Sequence, residues 1–308
     1  MRRFLIDTDT ASDDAVAILM ALRTPDVQVE AITIVAGNVA VEQGARNALY
    51  TVELCGLEVP VYKGLTKPLL RPHVDARFFH GTDGLGDLNL PAPRQQPQAQ
   101  HAVPAIVDAI RAAPGEITLV TLGPLSNIAA ALLQAPDIAQ QVKEAYVMGG
   151  AANVVGNITP AAEYNIWCDP EAAKIVFHSG MPITMIGWEL ALGPALLSEE
   201  DMQRLRALRT PYADFALDTN RQALQSCHEW LGLAGMTLCD PVAMAVALDR
   251  RVCTQAERKY VDVETTSELT RGETVVDRFG VLRQEPNIEV CLAIDAARFK
   301  EMLLDRLR

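Results

Sequence analysis

Asp7-Thr8-Asp9-Thr10-Ala11-Ser12-Asp13-Asp14 sets four carboxylates within eight residues, directly after the apolar run Phe4-Leu5-Ile6. Behind it, Ala15, Ile18, Leu19 and Leu22 recur at helical spacing, so the acids occupy the turn between a buried strand and an apolar helix. In a parallel α/β sheet such turns lie at the carboxyl edge, where ligands bind. Helix capping accounts for one of these aspartates, at most two, because the amino end of a helix favours a single capping acid. The remainder would repel one another and raise each other's pKa unless a cation neutralised them. A donor set made only of oxygen suits Ca²⁺ or Mg²⁺ better than zinc.

The spacing Asp7-x-Asp9-x-x-x-Asp13-Asp14 resembles the opening motif of the nucleoside hydrolases, the inosine-uridine-preferring N-ribohydrolases. Haloacid-dehalogenase-type phosphatases also begin with a strand and an Asp-x-Asp pair, which would make Asp7 a nucleophile. That alternative wants Thr or Val where Ala11 stands, and a later Lys ahead of an acidic pair has no clear counterpart here. A non-catalytic nucleoside- or ribose-binding protein that retains the metal is the third reading.

Bulk properties narrow the partners. The chain of 308 residues with 49% hydrophobic content can bury a substantial core, and it reads as a single domain over 1–308. A net charge of −12 argues against nucleic acid or an anionic membrane, since phosphate binding depends on clustered Lys and Arg. The apolar run near the amino end is too short for a signal-peptide core, and no stretch is long enough to span a bilayer. Six cysteines without a Cys-x-x-Cys pair suggest reduced thiols and a cytoplasmic protein.

Strand and helix patterns alternate along the chain. Strands are expected at Val27 to Val35, Val59 to Tyr62, Ile117 to Leu122, Ala145 to Met148, Ile183 to Ile186, Tyr260 to Glu264 and Glu289 to Ile294. Helices are expected at Val41 to Leu54, Val103 to Ala112, from Leu125, after Asp169-Pro170, after Ser198, at Tyr212 to Gln225 and at Ala296 to Leu304. This βαβ rhythm predicts a mostly parallel, Rossmann-like α/β sheet flanked by helices, with its site at the carboxyl edge. Gly37 is expected to turn the chain sharply before Asn38. The loop His80-Gly81-Thr82-Asp83-Gly84-Leu85-Gly86 reads as a mobile flap, and Cys227 to Leu231 as a break in the amphipathic pattern.

The resemblance extends from residue 4 to about residue 300 and implies roles position by position. It is strongest at Asn157, Glu163 and Asn165, and at Asp240 before Pro241. It implies a calcium ion held by Asp9, Asp14, the Leu122 carbonyl and Asp240, with Asp9 taking the proton of the attacking water and Asp7 in support. It implies that Asp13, Asn38, Met148, Asn157, Glu163, Asn165 and Asp240 surround the ribose. His80, Trp230 and Cys239 are the base-pocket candidates. Family members often carry His where Cys239 stands, which leaves the leaving-group acid and the base preference open. The implied reaction is calcium-dependent hydrolysis of a ribonucleoside to ribose and free base, in a homo-oligomer, dimer or tetramer.

Overall fold

The computed structural model describes residues 1–308. Nine strands form a sheet in the order β3-β2-β1-β4-β5-β6-β9-β7-β8. They are β1 (Arg2–Thr8), β2 (Val27–Ile34), β3 (Val61–Lys63), β4 (Ile117–Thr121), β5 (Glu144–Met148), β6 (Ile183–Ile186), β7 (Cys253–Val263), β8 (Thr274–Asp277) and β9 (Ile288–Ile294). The first six, with β9 beside β6, run parallel. β7 is antiparallel to β9, and β8 to β7. The mostly parallel α/β architecture expected from the sequence is therefore present, and its first six strands follow the 3-2-1-4-5-6 order of doubly wound sheets.

Burial on both faces explains the apolar strands. In β1, Phe4 and Ile6 join one core layer and Leu5 the other, as alternation along a strand requires. The order reverses between β1 and β4. The crevice beyond the carboxyl ends of these two strands is where the acidic turn and Leu122 lie.

Two helices dominate the larger core layer: α1 (Ser12–Leu22) and, last but one in the chain, α11 (Cys239–Leu248). α1 is buried from Ser12 to Ala21 and α11 from Asp240 to Leu248, which is the signature of helices enclosed on all sides. They pack against each other, and alanines at 15, 17, 21, 243, 245 and 247 keep both slender. Their amino ends meet, and this contact joins Asp13 and Asp14 to Asp240 across more than two hundred residues of chain.

Most expected elements form, including α2 (Val41–Leu54) with the limits read from the sequence. Three expectations need correction. The helix expected over Tyr212 to Gln225 is two, α9 (Pro211–Thr219) and α10 (Arg221–Glu229). At the break, the Asn220 side-chain Nδ2 donates to the carbonyls of Ala216 and Ser12, substituting for the main chain. The interruption thus lies at Asn220, and Cys227 to Glu229 are helical. β7 also begins seven residues earlier than Tyr260, and the strand β8 was not foreseen.

The third correction concerns the loop after His80. Arg77–His80 forms the short helix α3, and His80 is buried. The following loop is tied down: Asn47 donates to the Asp83 carbonyl, and Arg221 to those of Gly86 and Asp87. Gly81, Gly84 and Gly86 all have positive φ, so they serve turns that other residues resist.

Candidate active site

The acids sit where strand ends and helix starts converge. Asp14 Oδ1 accepts from Thr8 Oγ1 at 2.5 Å and Oδ2 from the Ala11 N–H at 2.9 Å, so Asp14 does in part cap its own helix. Asp9 Oδ2 accepts from the Asn38 N–H at 2.5 Å, and its Oδ1 is buried without a partner. Asn38 Nδ2 reaches Asp14 Oδ2 at 3.5 Å, so that amide does face the acids. The glycines either side are there for room. A Cβ on Gly37 would land on the Asp9 carboxylate, and one on Gly123 would come within 2.6 Å of its Oδ1. The chain bends at Gly37 as expected from sequence, and this close approach is what requires glycine there.

Oxygens of Asp13, Asp14 and Asp240 lie within 4.8 Å of one another. Asp240 stands in the first turn of α11, where Leu238 occupies the cap position and makes no side-chain capping bond, so capping does not explain Asp240. Burial, then the charges of Asp13, Asp14 and Asp9, push the Asp240 carboxyl well above the usual range. Burial raises Asp13 to about 6, opposed by main-chain N–H groups including those of Asp240 and Cys239. Burial and the charge of Asp13 raise Asp14, and burial and the charge of Asp14 raise Asp9.

Asp9 is outside the close group of three but adjoins Asp14. Asp7 is further removed: its Oδ1 accepts from Thr33 Oγ1 at 2.5 Å and Asn127 Nδ2 at 2.8 Å, and burial lifts its pKa to about 7. The set as a whole fits a hard divalent cation. It offers oxygen donors, one of them orphaned, and its electrostatic strain is of the kind a positive ion relieves.

Above this floor opens a cavity of about 330 Å³. Asp13, Asn38, Leu122, Met148, Asn157, Glu163, Asn165 and Asp240 line it, as do His80, Trp230 and Cys239. Asp7, Asp9 and Asp14 do not reach its surface.

Glu163 caps the short helix α6 (Tyr164–Cys168), accepting from the N–H groups of Asn165 and Gly150 at 2.9 Å and of Ile166 at 3.3 Å. Burial nevertheless raises it to about 7. Asn165 Nδ2 donates to the Leu122 carbonyl at 2.8 Å and touches the Met148 carbonyl and sulfur, so it links three lining residues. Asn157, which lines the cavity, accepts from the Tyr164 N–H through Oδ1 at 2.9 Å.

His80 Nδ1 pairs with Ser12 Oγ at 2.7 Å, and burial lowers its pKa to about 4, so it is neutral at pH 7. Trp230 is 57% exposed and stacks on Phe78 with ring centroids 4.7 Å apart, forming the mouth rather than the core. Cys239 contacts Thr237 Oγ1 at 3.5 Å, and burial holds its thiol protonated.

Sequence reasoning missed Phe78, Phe79, Trp188, Asn220 and Thr237, all of which line the cavity. Aromatic residues at 78 and 79 beside the noted His80 were a usable signal. Asn220 offered none, because its position depends on the α9–α10 break.

A cavity lined by amides and carboxylates, beside a cluster of acids at the switch point of an α/β sheet, is the setting of an enzyme that acts on a small polar molecule. The sequence profile described as "Inosine-uridine preferring nucleoside hydrolase" matches residues 4–301, so the chain belongs to that family and is an N-glycosyl hydrolase of ribonucleosides. Membership displaces the phosphatase and pure binding-protein alternatives.

A pyrimidine-specific ribonucleoside hydrolase, RihA, from Shewanella sp. (strain ANA-3) is 40% identical over 99% of this chain and 96% of that protein. A plant nucleoside hydrolase, PpNRh1, superimposes with a TM-score of 0.93 at 30% identity, covering 99% of this chain and 98% of that one. A purine-preferring ribonucleoside hydrolase from Gardnerella vaginalis gives 0.92 at 34% identity, with the same coverage. No helix is long and apolar enough to cross a membrane.

Proposed function

We propose that this enzyme uses a divalent cation, calcium, to hydrolyse the N-glycosidic bond of ribonucleosides, with pyrimidine ribonucleosides as its preferred substrates. The observation that carries the reading is the close grouping of the Asp13, Asp14 and Asp240 carboxylates, of which Asp13 and Asp240 line the amide-bearing cavity and Asp14 lies against them beneath its surface. Asp9, Asp14, the Leu122 carbonyl and Asp240 would hold the ion, and its positive charge would acidify water at the cavity floor.

Asp9 then takes a proton from the attacking water; its unpartnered Oδ1 is suited to that role. The ribose hydroxyls fall to Asp13, Asn38, Asn157, Glu163, Asn165 and Asp240, with Met148 beneath the ring. Main-chain donors fix Glu163, and the Leu122 carbonyl fixes Asn165, so their hydrogen-bonding directions are set before substrate arrives. The same clamp suits an oxocarbenium-like transition state, whose flattened sugar must be held for attack from one face. Asp7 braces the strand ends through Thr33 and Asn127. The departing base lies among His80, Phe78, Trp230 and Cys239. The Cys239 thiol is a weak hydrogen-bond donor.

The pyrimidine preference rests on similarity to the Shewanella enzyme at 40% identity. A panel of uridine, cytidine, inosine and adenosine, assayed for ribose release with and without chelator, tests each part. Uridine or cytidine should be cleaved fastest, and chelation should abolish turnover. Faster purine cleavage would overturn the base preference, unchanged activity in chelator would overturn the ion, and no release from any nucleoside would overturn the reaction.

A further inference from the structure

The six cysteines look unrelated in sequence, yet two of them meet where β7 pairs with β9. Cys253 opens β7 and Cys291 lies within β9, and their sulfurs are 2.7 Å apart, with the Cys291 S–H donating to the Cys253 sulfur. In the ladder Cys253 faces Ile294, and Ala256 faces Cys291, an offset of three positions that would put the two side chains on opposite faces of a regular strand. The register slips on both sides of Gln255, and this irregularity is what brings the thiols together. Cys291 is fully buried, whereas Cys253 is partly exposed. Arg250 lies beside Cys253, its guanidinium also paired to Glu289 at 2.5 Å.

We propose that Cys253 and Cys291 form an oxidisable dithiol that hydrogen peroxide closes to an intramolecular disulfide, linking β7 to β9. The Cys253 thiolate attacks one peroxide oxygen, breaking the O–O bond and giving a sulfenic acid and hydroxide. The Cys291 sulfur then attacks the sulfenic sulfur, losing its proton and expelling the oxygen as water. Two thiols and one peroxide thus yield one disulfide and two waters.

The division of labour follows from the surroundings. The Cys291 hydrogen bond and the Arg250 charge hold the Cys253 thiol below the usual range, which favours the attacking thiolate. Burial pushes Cys55, Cys168, Cys227 and Cys239 above it, so these four act as internal controls. Cys239, the thiol of the active-site cavity, is among the controls, so the dithiol is chemically separate from that site.

The test uses the whole enzyme treated with hydrogen peroxide and digested without reductant. A single cross-linked peptide pair containing Cys253 and Cys291, lost on reduction, is expected. Cys253 should also alkylate at pH 7 more than about tenfold faster than any control cysteine, given its larger thiolate fraction. In Cys291→Ser the sulfenic acid has no partner, so a sulfenic-acid trap should label Cys253, and Cys253→Ser should take no label there. The wild-type peptide map stands without either variant if one of them fails to fold. Cross-links through other cysteines, cross-links between chains, or direct over-oxidation of Cys253 without a disulfide would each overturn the proposal.

Discussion

Two sets of buried carboxylates lie close together in this molecule and are treated differently by their surroundings. Glu163 accepts three main-chain N–H groups, and Asp169 accepts from Ser126 Oγ at 2.6 Å and from the main chain of Leu69 and Ala172. Each is a capping residue whose oxygens are met by the protein itself. On the floor of the cavity the supply of donors falls short. Asp9 keeps an orphaned oxygen and Asp240 caps nothing; burial raises the pKa values of all four acids there, as it also raises those of Glu163 and Asp169, and neighbouring aspartate charges raise Asp9, Asp14 and Asp240 further. Burial alone therefore does not mark a cation-binding acid. Crowding of carboxylates whose oxygens lack protein donors is what suits a cation, because a positive ion relieves their mutual repulsion.

The largest expected effect comes from removing one floor acid. Asp240→Asn should cut ribose release by about a thousandfold or more, the scale of losing a main electrostatic contribution to catalysis. It should also abolish the rise in Tm expected on adding calcium to the parent enzyme. A variant that keeps its calcium-dependent shift would show that Asp240 does not belong with the cation-binding set.

A smaller effect concerns pH. In ion-free enzyme the folded pKa values are raised, to about 6 for Asp13 and about 7 for Glu163, so between the unfolded carboxylate pKa and these values the folded state holds more protons than the unfolded one. Stability is then highest at the acid end of that window and falls as pH rises towards 7. Calcium at about a hundredfold over its Kd should add about 2.7 kcal/mol, or about 5 °C in Tm, and most of that gain should appear at neutral pH, where the acids are charged. Thermal melts from pH 4.5 to 7.5, with chelator and with calcium, check the slope. A flat ion-free profile would mean that burial does not raise these two carboxyls as the geometry implies.

The smallest effect sharpens the other side of the comparison. Asp169→Asn weakens the cap of α7 (Pro170–Phe177) and should cost about 1 kcal/mol, with the calcium response and the ratio of uridine to inosine cleavage unchanged. A loss of calcium binding in this variant would mean that satisfied and unsatisfied acids are not functionally distinct.

Much of this was legible in the chain. The alternation of strand and helix announced the sheet, the acid-rich turn after β1 announced a cluster of buried acids at its carboxyl edge, and Asn157, Glu163 and Asn165, singled out by the resemblance, line the cavity above it. The reading failed where position depends on irregular backbone. Asn220 breaks a helix that its periodicity continued, because side-chain competition for a carbonyl has no hydrophobic signature. The Phe78–Trp230 stack joins residues about one hundred and fifty positions apart, and no local pattern encodes that pairing.

The sequence by itself determined which elements form and which residue types their ends carry, because strand and helix periodicity and turn chemistry are local properties of the chain. Only the tertiary structure decided which ends meet. α1 and α11 are both apolar on every side and must bury themselves together, and that packing, rather than any motif, places Asp240 among the amino-terminal acids. The same holds for Cys253 and Cys291: a slip in strand register sets them side by side, and register is fixed by the whole sheet.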